Sequence, residues 1–382
     1  MTNLPTQLEM LETLISSPSI SSTHSELDSS NLTVITHLAE WFEDAGFNVE
    51  IQTLPNQANK ANMIARMGDG DDGLVLSGHT DTVPCDENLW QVNPFKFTQK
   101  ENRFYGLGSS DMKSFFALVL SSLKGINQNH LKKPLTILAT ADEESSMAGA
   151  KAILNGQSKL GNYCIIGEPT SLKPVRQHKG IFMESIRLTG RSGHSSDPSL
   201  GNNALEGMHE IIQAMLDYRD HLGRQFISQD FAVPTPTLNL GHIHGGDNPN
   251  RICGQCELHY DLRILPDMQI DSVKKNLHSI VLGIAHRRNL KCEFISLFDG
   301  TPALSTASNS SIVQMAEQLT SCPSDSVVFA TEGPYFSQMG METIVLGPGS
   351  IDVAHQPNEY IEQQQLDLAV TLYRQFIEKI CC

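Results

Sequence analysis

The chain has no apolar run near the roughly 18 residues needed to cross a bilayer. Its longest candidate is the short stretch Phe115-Phe116-Ala117-Leu118-Val119-Leu120. Basic residues are scarce, 27 Lys and Arg against 43 Asp and Glu, for a formal charge of −16. That balance argues against nucleic acid and anionic membranes as partners, because both are held by clustered Lys and Arg. No Lys or Arg precedes Lys60, so the positive n-region of a signal peptide is missing. The eight cysteines form no spacing framework, which excludes a disulfide scaffold and suits the cytoplasm. One pair, Cys253-Gly-Gln-Cys256, has the C-x-x-C form but lies in a strand-like segment with no second pair, and reads as structural thiols. Cys381 and Cys382 end the chain without the residues that follow the Cys of a prenylation motif. There is no internal repeat, no low-complexity tract and no Gly/Ser/Pro-rich linker. The length of 382 residues is room for about two to three domains, enough to bury a core without staples.

The pattern that is present is α/β. Apolar periodicity predicts helices over Thr6–Ser16, Ser30–Ala45 and Met112–Lys124, and a closing helix over Ile361–Ile380. Strand-like runs are Phe47–Thr53, Asn62–Met67, Leu74–Ser77, Leu135–Ala141, Tyr163–Ile166, Val327–Ala330 and Thr343–Leu346. Apolar strands alternating with helices indicate a mostly parallel sheet covered on both faces. The middle reads differently. Gly180–Thr189, Thr237–His242, Ile252–Arg263 and Lys291–Leu297 are strands, with helices at Asn203–Arg219 and Ile270–His286. This β-α-β-β-α-β order resembles a ferredoxin-like unit. The expected domains are 1–179 with 288–382 for catalysis, and 180–287 as an inserted domain.

Ligand-type residues follow the strands. Leu74-Val75-Leu76-Ser77-Gly78 leads to His79, with Asp81 two residues on. Leu135–Ala141 leads to Asp142, Glu143 and Glu144; Tyr163–Gly167 leads to Glu168; Thr343–Gly347 leads to His355. A glycine-rich loop, Gly106-Leu107-Gly108-Ser109-Ser110, leads to Asp111, which would repel a pyrophosphate and so argues against a nucleotide loop. Ligands of open α/β sheets bind beyond the carboxyl ends of the strands, so parallel neighbours would gather these tips at one edge. Two imidazoles with several carboxylates and no thiolate suit catalytic zinc, cobalt or manganese. Asp111 fits a carboxylate shared by two metals. Glu143 and Glu144 are adjacent, so on extended backbone they point opposite ways: one can bind metal while the other faces water. Asp81 is within reach of the second ring nitrogen of His79, where a carboxylate orients the ligand.

Four motifs stand in order: Ser77-Gly78-His79-Thr80-Asp81-Thr82-Val83-Pro84, Gly106-Leu107-Gly108-Ser109-Ser110-Asp111-Met112-Lys113, Thr140-Ala141-Asp142-Glu143-Glu144 and Gly167-Glu168-Pro169-Thr170. Together they resemble the signature of the co-catalytic zinc aminoacylase and peptidase family. The resemblance covers the whole chain, including Gly193-His194-Ser195-Ser196 in the inserted region. Segments 166–176, 239–246 and 346–350, with Ala354-His355-Gln356-Pro357, are most similar to the members that deacetylate N2-acetyl-L-ornithine. The resemblance implies a zinc-peptidase-like α/β catalytic domain carrying an inserted α+β lid and dimerisation domain. It implies two divalent ions, zinc or else cobalt, one on His79, Asp111 and Glu168, the other on Asp111, Glu144 and His355. Glu143 becomes the general base and Asp81 the partner of His79. In a homodimer, a histidine equivalent to His194 covers the other subunit's active site, while Asn250, Arg251, Gly349 and Ser350 meet the substrate. The implied activity releases L-ornithine and acetate for arginine biosynthesis in the cytoplasm. Another N-acyl amino-acid hydrolase, such as one acting on succinyl-diaminopimelate, is the alternative. A non-catalytic member is argued against by Glu143 standing beside all five ligand positions. The chain departs from the family form in having Ser114, not glycine, after Lys113; serine is small enough to keep the packing close. Glu332 reads as a loop carboxylate near the substrate mouth, and His242 and His244 as lid residues.

Overall fold

The computed structural model describes residues 4–126, 130–156 and 159–382. It divides into two compact units: Met1–Arg176 with Thr306–Asp325 and Thr331–Cys382, and Gln177–Ser305 with Ser326–Ala330.

The larger unit is built on a sheet whose strands run in the order Asn48–Leu54, Gln57–Met67, Leu135–Thr140, Leu74–His79, Tyr163–Pro169 and Glu342–Gly347. The first two are antiparallel and the last four mutually parallel. Those four are buried along almost their full length, as befits strands covered on both faces. The first helix, Gln7–Ile15, starts on a capping box in which the side chains of Thr6 and Glu9 each accept the other's backbone N–H. Its Leu11 and Leu14 join Phe42, Phe115, Phe116, Tyr373 and Phe376 in one core.

The helix Ser114–Ser122 is buried at every position. It packs tightly beneath the strand ends because Gly78 and Gly167 carry no side chain. A Cβ on Gly167 would lie 2.1 Å from the Phe115 ring, and one on Gly78 would lie 2.5 Å from the Met112 methyl. These glycines immediately precede His79 and Glu168, so the same close approach sets the height at which both side chains emerge.

Five elements differ from the sequence expectation. The closing helix is Gln363–Cys381, because Ile361 belongs to a short strand, Tyr360–Glu362, paired with Arg103–Tyr105. The apolar run at Val327–Ala330 is not a strand over that range; the strand is Asp325–Val327, and Val328 is exposed. The helices Ala148–Gly156, Ser311–Thr320 and Gly333–Gln338 lie outside the expected elements, although Ile312, Val313 and Ala316 are buried at helical spacing in the second of them.

The smaller unit has an antiparallel sheet ordered Thr237–Gly245, Gln255–Ile264, Gly180–Thr189 and Lys291–Thr301. Its core joins the helices Ala204–Gln225 and Ile270–Arg287 to the inward side chains of those strands. The closing strand of this β-α-β-β-α-β unit follows the second helix and pairs with Gly180–Thr189. The unit therefore continues to Ser305, beyond residue 287. All eight cysteines are free, with Cys253 and Cys256 buried here.

Candidate metal centre

The four parallel strands deliver their ends to one edge of the larger unit. His79 is the last residue of its strand, Glu168 lies within the end of the next, and the strand Leu135–Thr140 passes into Asp142-Glu143-Glu144. His355 arrives eight residues after Gly347 and has positive φ (59°). Asp111 comes from the loop ahead of the buried helix.

Asp111 lies at the centre. Its Oδ1 is 3.0 Å from Nε2 of His79, and its Oδ2 is 3.3 Å from Nε2 of His355. Glu168 Oε1 lies 3.7 Å from His79 Nε2, and Glu144 Oε1 lies 2.9 Å from His355 Nε2. Ligand atoms of His79, Glu143 and Glu168 fall within 4.8 Å of one another, as do those of His79, Asp111 and Glu144. The two sides differ in access: the His79 side chain is 1% exposed and the His355 side chain 49%. One end of the cluster is sealed and the other opens to solvent.

The other ring nitrogen of His79 meets the main-chain carbonyl of Asp81 at 3.0 Å, with the Asp81 carboxylate at 3.7 Å. That carboxylate instead accepts the backbone N–H groups of Glu143 (3.2 Å) and Glu144 (3.0 Å). Asp81 therefore faces His79 and also holds the turn that presents both glutamates.

Carboxylates crowd here without enough positive charge. Burial, then the charge of Glu168, raises the Glu143 carboxyl well above its ordinary range. Burial and the charge of Asp111 push Glu168 up to about 7. Glu144 is raised by the same two causes, with its bond to His355 opposing them. Burial would raise Asp111 too, but the bonds from His355 and His79 bring it below its ordinary value. The imidazoles respond in kind. His355 is pushed up to about 11 by its bonds to Asp111 and Glu144. His79 rises although burial opposes it, through Glu168 and Asp111. Such a cluster is short of cations, and divalent ions would invert these tendencies. The donor set, imidazole and carboxylate with no thiol, fits zinc-type ions in an open catalytic site.

Gly349 and Ser350 also lie in the larger unit. Ser350 N–H donates to Ser110 Oγ (3.1 Å), and a Cβ on Gly349 would meet that oxygen at 2.3 Å. They pack on the loop that carries Asp111. His194, Asn250 and Arg251 belong to the smaller unit, where His194 bridges to Arg251 and the main chain of Ser195 bonds to Asn250. The Arg251 guanidinium pairs with Asp247 at 2.5 Å. His242 and His244 are exposed on a strand of the same unit.

Sequence reasoning misplaced one buried charged group, Glu332, and missed two others, Lys60 and Glu359. Glu332 is not a mouth carboxylate: it is 1% exposed and takes a hydrogen bond from Thr140 (2.8 Å). Burial pushes it up to about 8. Lys60 pairs with Asp142 and Asp28, both at 2.8 Å. Glu359 lies beneath the Asp111 loop, pushed up to about 8 by burial and the Asp111 charge while three main-chain donors oppose the shift. The only sequence signals were a first basic residue at Lys60 and an Asn358-Glu359 pair soon after His355.

A sequence model of peptidase family M20/M25/M40 matches residues 75–379. An acetylornithine deacetylase of Vibrio campbellii (strain ATCC BAA-1116) is 47% identical over 379 residues, covering 99% of this chain and 100% of that protein. A tripeptidase structure from Staphylococcus aureus subsp. aureus Mu50 superposes with a TM-score of 0.76 at 20% identity, covering 99% of each chain. A Bacillus subtilis structure described as a dinuclear metal binding peptidase of the M20 family gives 0.65 at 15% identity, covering 97% of this chain and 96% of that one.

Proposed function

The chain belongs to peptidase family M20/M25/M40, and from that premise we propose that it acts as an acetylornithine deacetylase. It is a hydrolase that cleaves the amide of N2-acetyl-L-ornithine to L-ornithine and acetate, a step of arginine biosynthesis. One observation carries the chemistry: Asp111 shares its two carboxylate oxygens between His79 and His355. The full-length likeness to the Vibrio enzyme supports the substrate.

In this reading His79, Asp111 and Glu168 hold one ion, and Asp111, Glu144 and His355 the other, with zinc first and cobalt as the alternative. When bound, such ions polarise the acyl carbonyl and lower the pKa of water from about 15.7 to about 7. Glu143 accepts the proton of the attacking water at its carboxylate and returns it to the leaving α-nitrogen. Asp81 keeps Glu143 in place through the main chain. Arg251 pairs with the substrate α-carboxylate in place of Asp247, helped by Asn250, and Gly349 and Ser350 line the substrate side of the Asp111 loop.

The active species in this reading is a homodimer formed through the smaller unit, in the cytoplasm, where eight free thiols stay reduced. The partner's His194 reaches the tetrahedral oxyanion. Ser196 N–H donates to His194 Nδ1 (3.2 Å), which leaves Nε2 protonated in the neutral ring and able to donate. An oxyanion donor is typically worth about 2.7–4 kcal/mol. Accordingly His194→Ala should lower turnover about 100- to 1,000-fold with metal content unchanged. Mixed dimers of His194→Ala and Glu143→Ala protomers should regain activity, since one of the two sites is then complete. Verified mixed dimers that stay inactive would remove the cross-subunit role.

The decisive assay compares N2-acetyl-L-ornithine with N-succinyl-diaminopimelate, on protein stripped by chelator and then reloaded with zinc or cobalt. The acetyl substrate should be preferred, and activity should vanish and return with metal. Preference for the succinylated compound would overturn the substrate, and full activity after verified stripping would overturn metal dependence. Because His79 and His355 hold protons tightly in the metal-free protein, binding must displace them. Metal affinity should therefore rise with pH between 6 and 8, with proton release detectable by calorimetry in buffers of different ionisation enthalpy.

A further inference from the structure

The loop that carries Asp111 would not by itself hold a bridging carboxylate still. Gly106 and Gly108 both have positive φ (153° and 86°), and Gly108 leaves no room for a Cβ, which would fall 2.5 Å from Lys113 Cε. Most of the loop's inward main-chain donors end on one buried side chain far along the sequence. Glu359 is 1% exposed. Its Oε1 accepts the backbone N–H groups of Ser110 (2.7 Å) and Asp111 (3.0 Å), and its Oε2 accepts that of Gly108 (3.2 Å). Its own carbonyl accepts Gly106 N–H (3.1 Å). Four main-chain donors of one six-residue loop thus end on a single residue.

Glu359 also stands four residues after His355, and the intervening Asn358 takes a hydrogen bond from Gln91 N–H (2.7 Å). The same side chain therefore ties the segment bearing His355 to the loop bearing Asp111. We propose that Glu359 is a positioning residue that sets the separation of Asp111 and His355, and so the affinity of the site for its ions. Glu359 touches neither metal nor substrate in this reading. It acts through the Asp111 main chain, as carboxylates behind metal ligands commonly do. The converging N–H groups form a cradle for a pair of acceptor oxygens, and an amide side chain of the same size offers only one. The inference rests on the two-metal reading above.

The test is a calorimetric titration of the stripped full-length protein with zinc, repeated with cobalt while its visible absorption is recorded. Wild type should take up two equivalents. Glu359→Ala should bind about 10- to 100-fold more weakly and show an altered cobalt spectrum, with thermal melts confirming that it folds. Glu359→Gln should fall between, because its oxygen keeps the Ser110 and Asp111 donors while its NH2 group opposes Gly108 N–H. If Glu359→Ala does not fold, Glu359→Gln decides alone. A wild-type protein binding two ions beside variants with the same affinity and spectrum would overturn the Glu359 role and leave the metal centre standing. A wild type that takes up fewer than two equivalents would overturn the two-metal reading, and this inference with it.

Discussion

Glu143→Ala is expected to lower turnover by about 100- to 10,000-fold, the usual contribution of a positioned acid–base group, while metal content stays near two ions per chain. The reason for the second half is geometric. His79, Asp111 and Glu168 stay together without Glu143, and so do Asp111, Glu144 and His355. The first half follows from position: the Glu143 carboxylate lies with His79 and Glu168 at the sealed end of the cluster, where the proposed mechanism needs a proton taken from water to be kept for the leaving group. Turnover measured on metal-verified protein separates the two effects. A metal-loaded Glu143→Ala enzyme running at the wild-type rate would remove Glu143 from the mechanism. Glu143→Gln, which keeps the shape and loses the proton-accepting oxygen pair, should be as inactive as the alanine variant.

The second large effect is on stability. Lys60→Met should cost about 3–5 kcal/mol, the range for stripping one partner from a buried ion pair. Lys60 Nζ is almost completely enclosed and sits 2.8 Å from Asp28 and 2.8 Å from Asp142. Without it, two carboxylates face each other across the space the ammonium filled. Asp142 immediately precedes Glu143 and has positive φ (57°), and it also takes a hydrogen bond from Ser21 Oγ (3.1 Å). The variant should therefore lose turnover even under conditions where it remains folded. Burial alone would lower the Lys60 value, but Asp142 and Asp28 more than offset it, so the folded value lies above the ordinary 10.5. The stability from this pair is then complete at neutral pH and lost only as pH rises through that folded value. Urea unfolding of both proteins from pH 6 to 9 should show a constant gap. A gap below about 1 kcal/mol, the level of an exposed pair, would show that Lys60 does not clamp the turn.

Much of the active edge was legible because local signals carried it. A parallel strand buried on both faces is a short continuous apolar run, and such runs stand directly before His79, Glu143 and Glu168. Their chemistry needs no knowledge of neighbours to be suspected. In the smaller unit Gln255–Ile264 alternates buried and partly exposed residues along its length, the pattern of a strand covered on one face. Where a run was apolar for another reason, as at Val327–Ala330, the reading slipped. Three short helices, Ala148–Gly156, Ser311–Thr320 and Gly333–Gln338, were not seen at all.

The sequence by itself determined the strand and helix order, the ligand types and their place at strand ends, because periodicity and ligand chemistry are properties of short segments. Only the tertiary structure decided how those ligands are held. Asp81 meets the amides of Glu143 and Glu144 across 62 and 63 residues of chain, and Glu359 meets the amide of Asp111 across 248. Lys60 and Glu359 read in sequence as ordinary surface charges, since charged residues are almost never fully buried unless paired. Their partners come from distant segments, and no local pattern records a pairing that exists only once the sheet has brought those segments together.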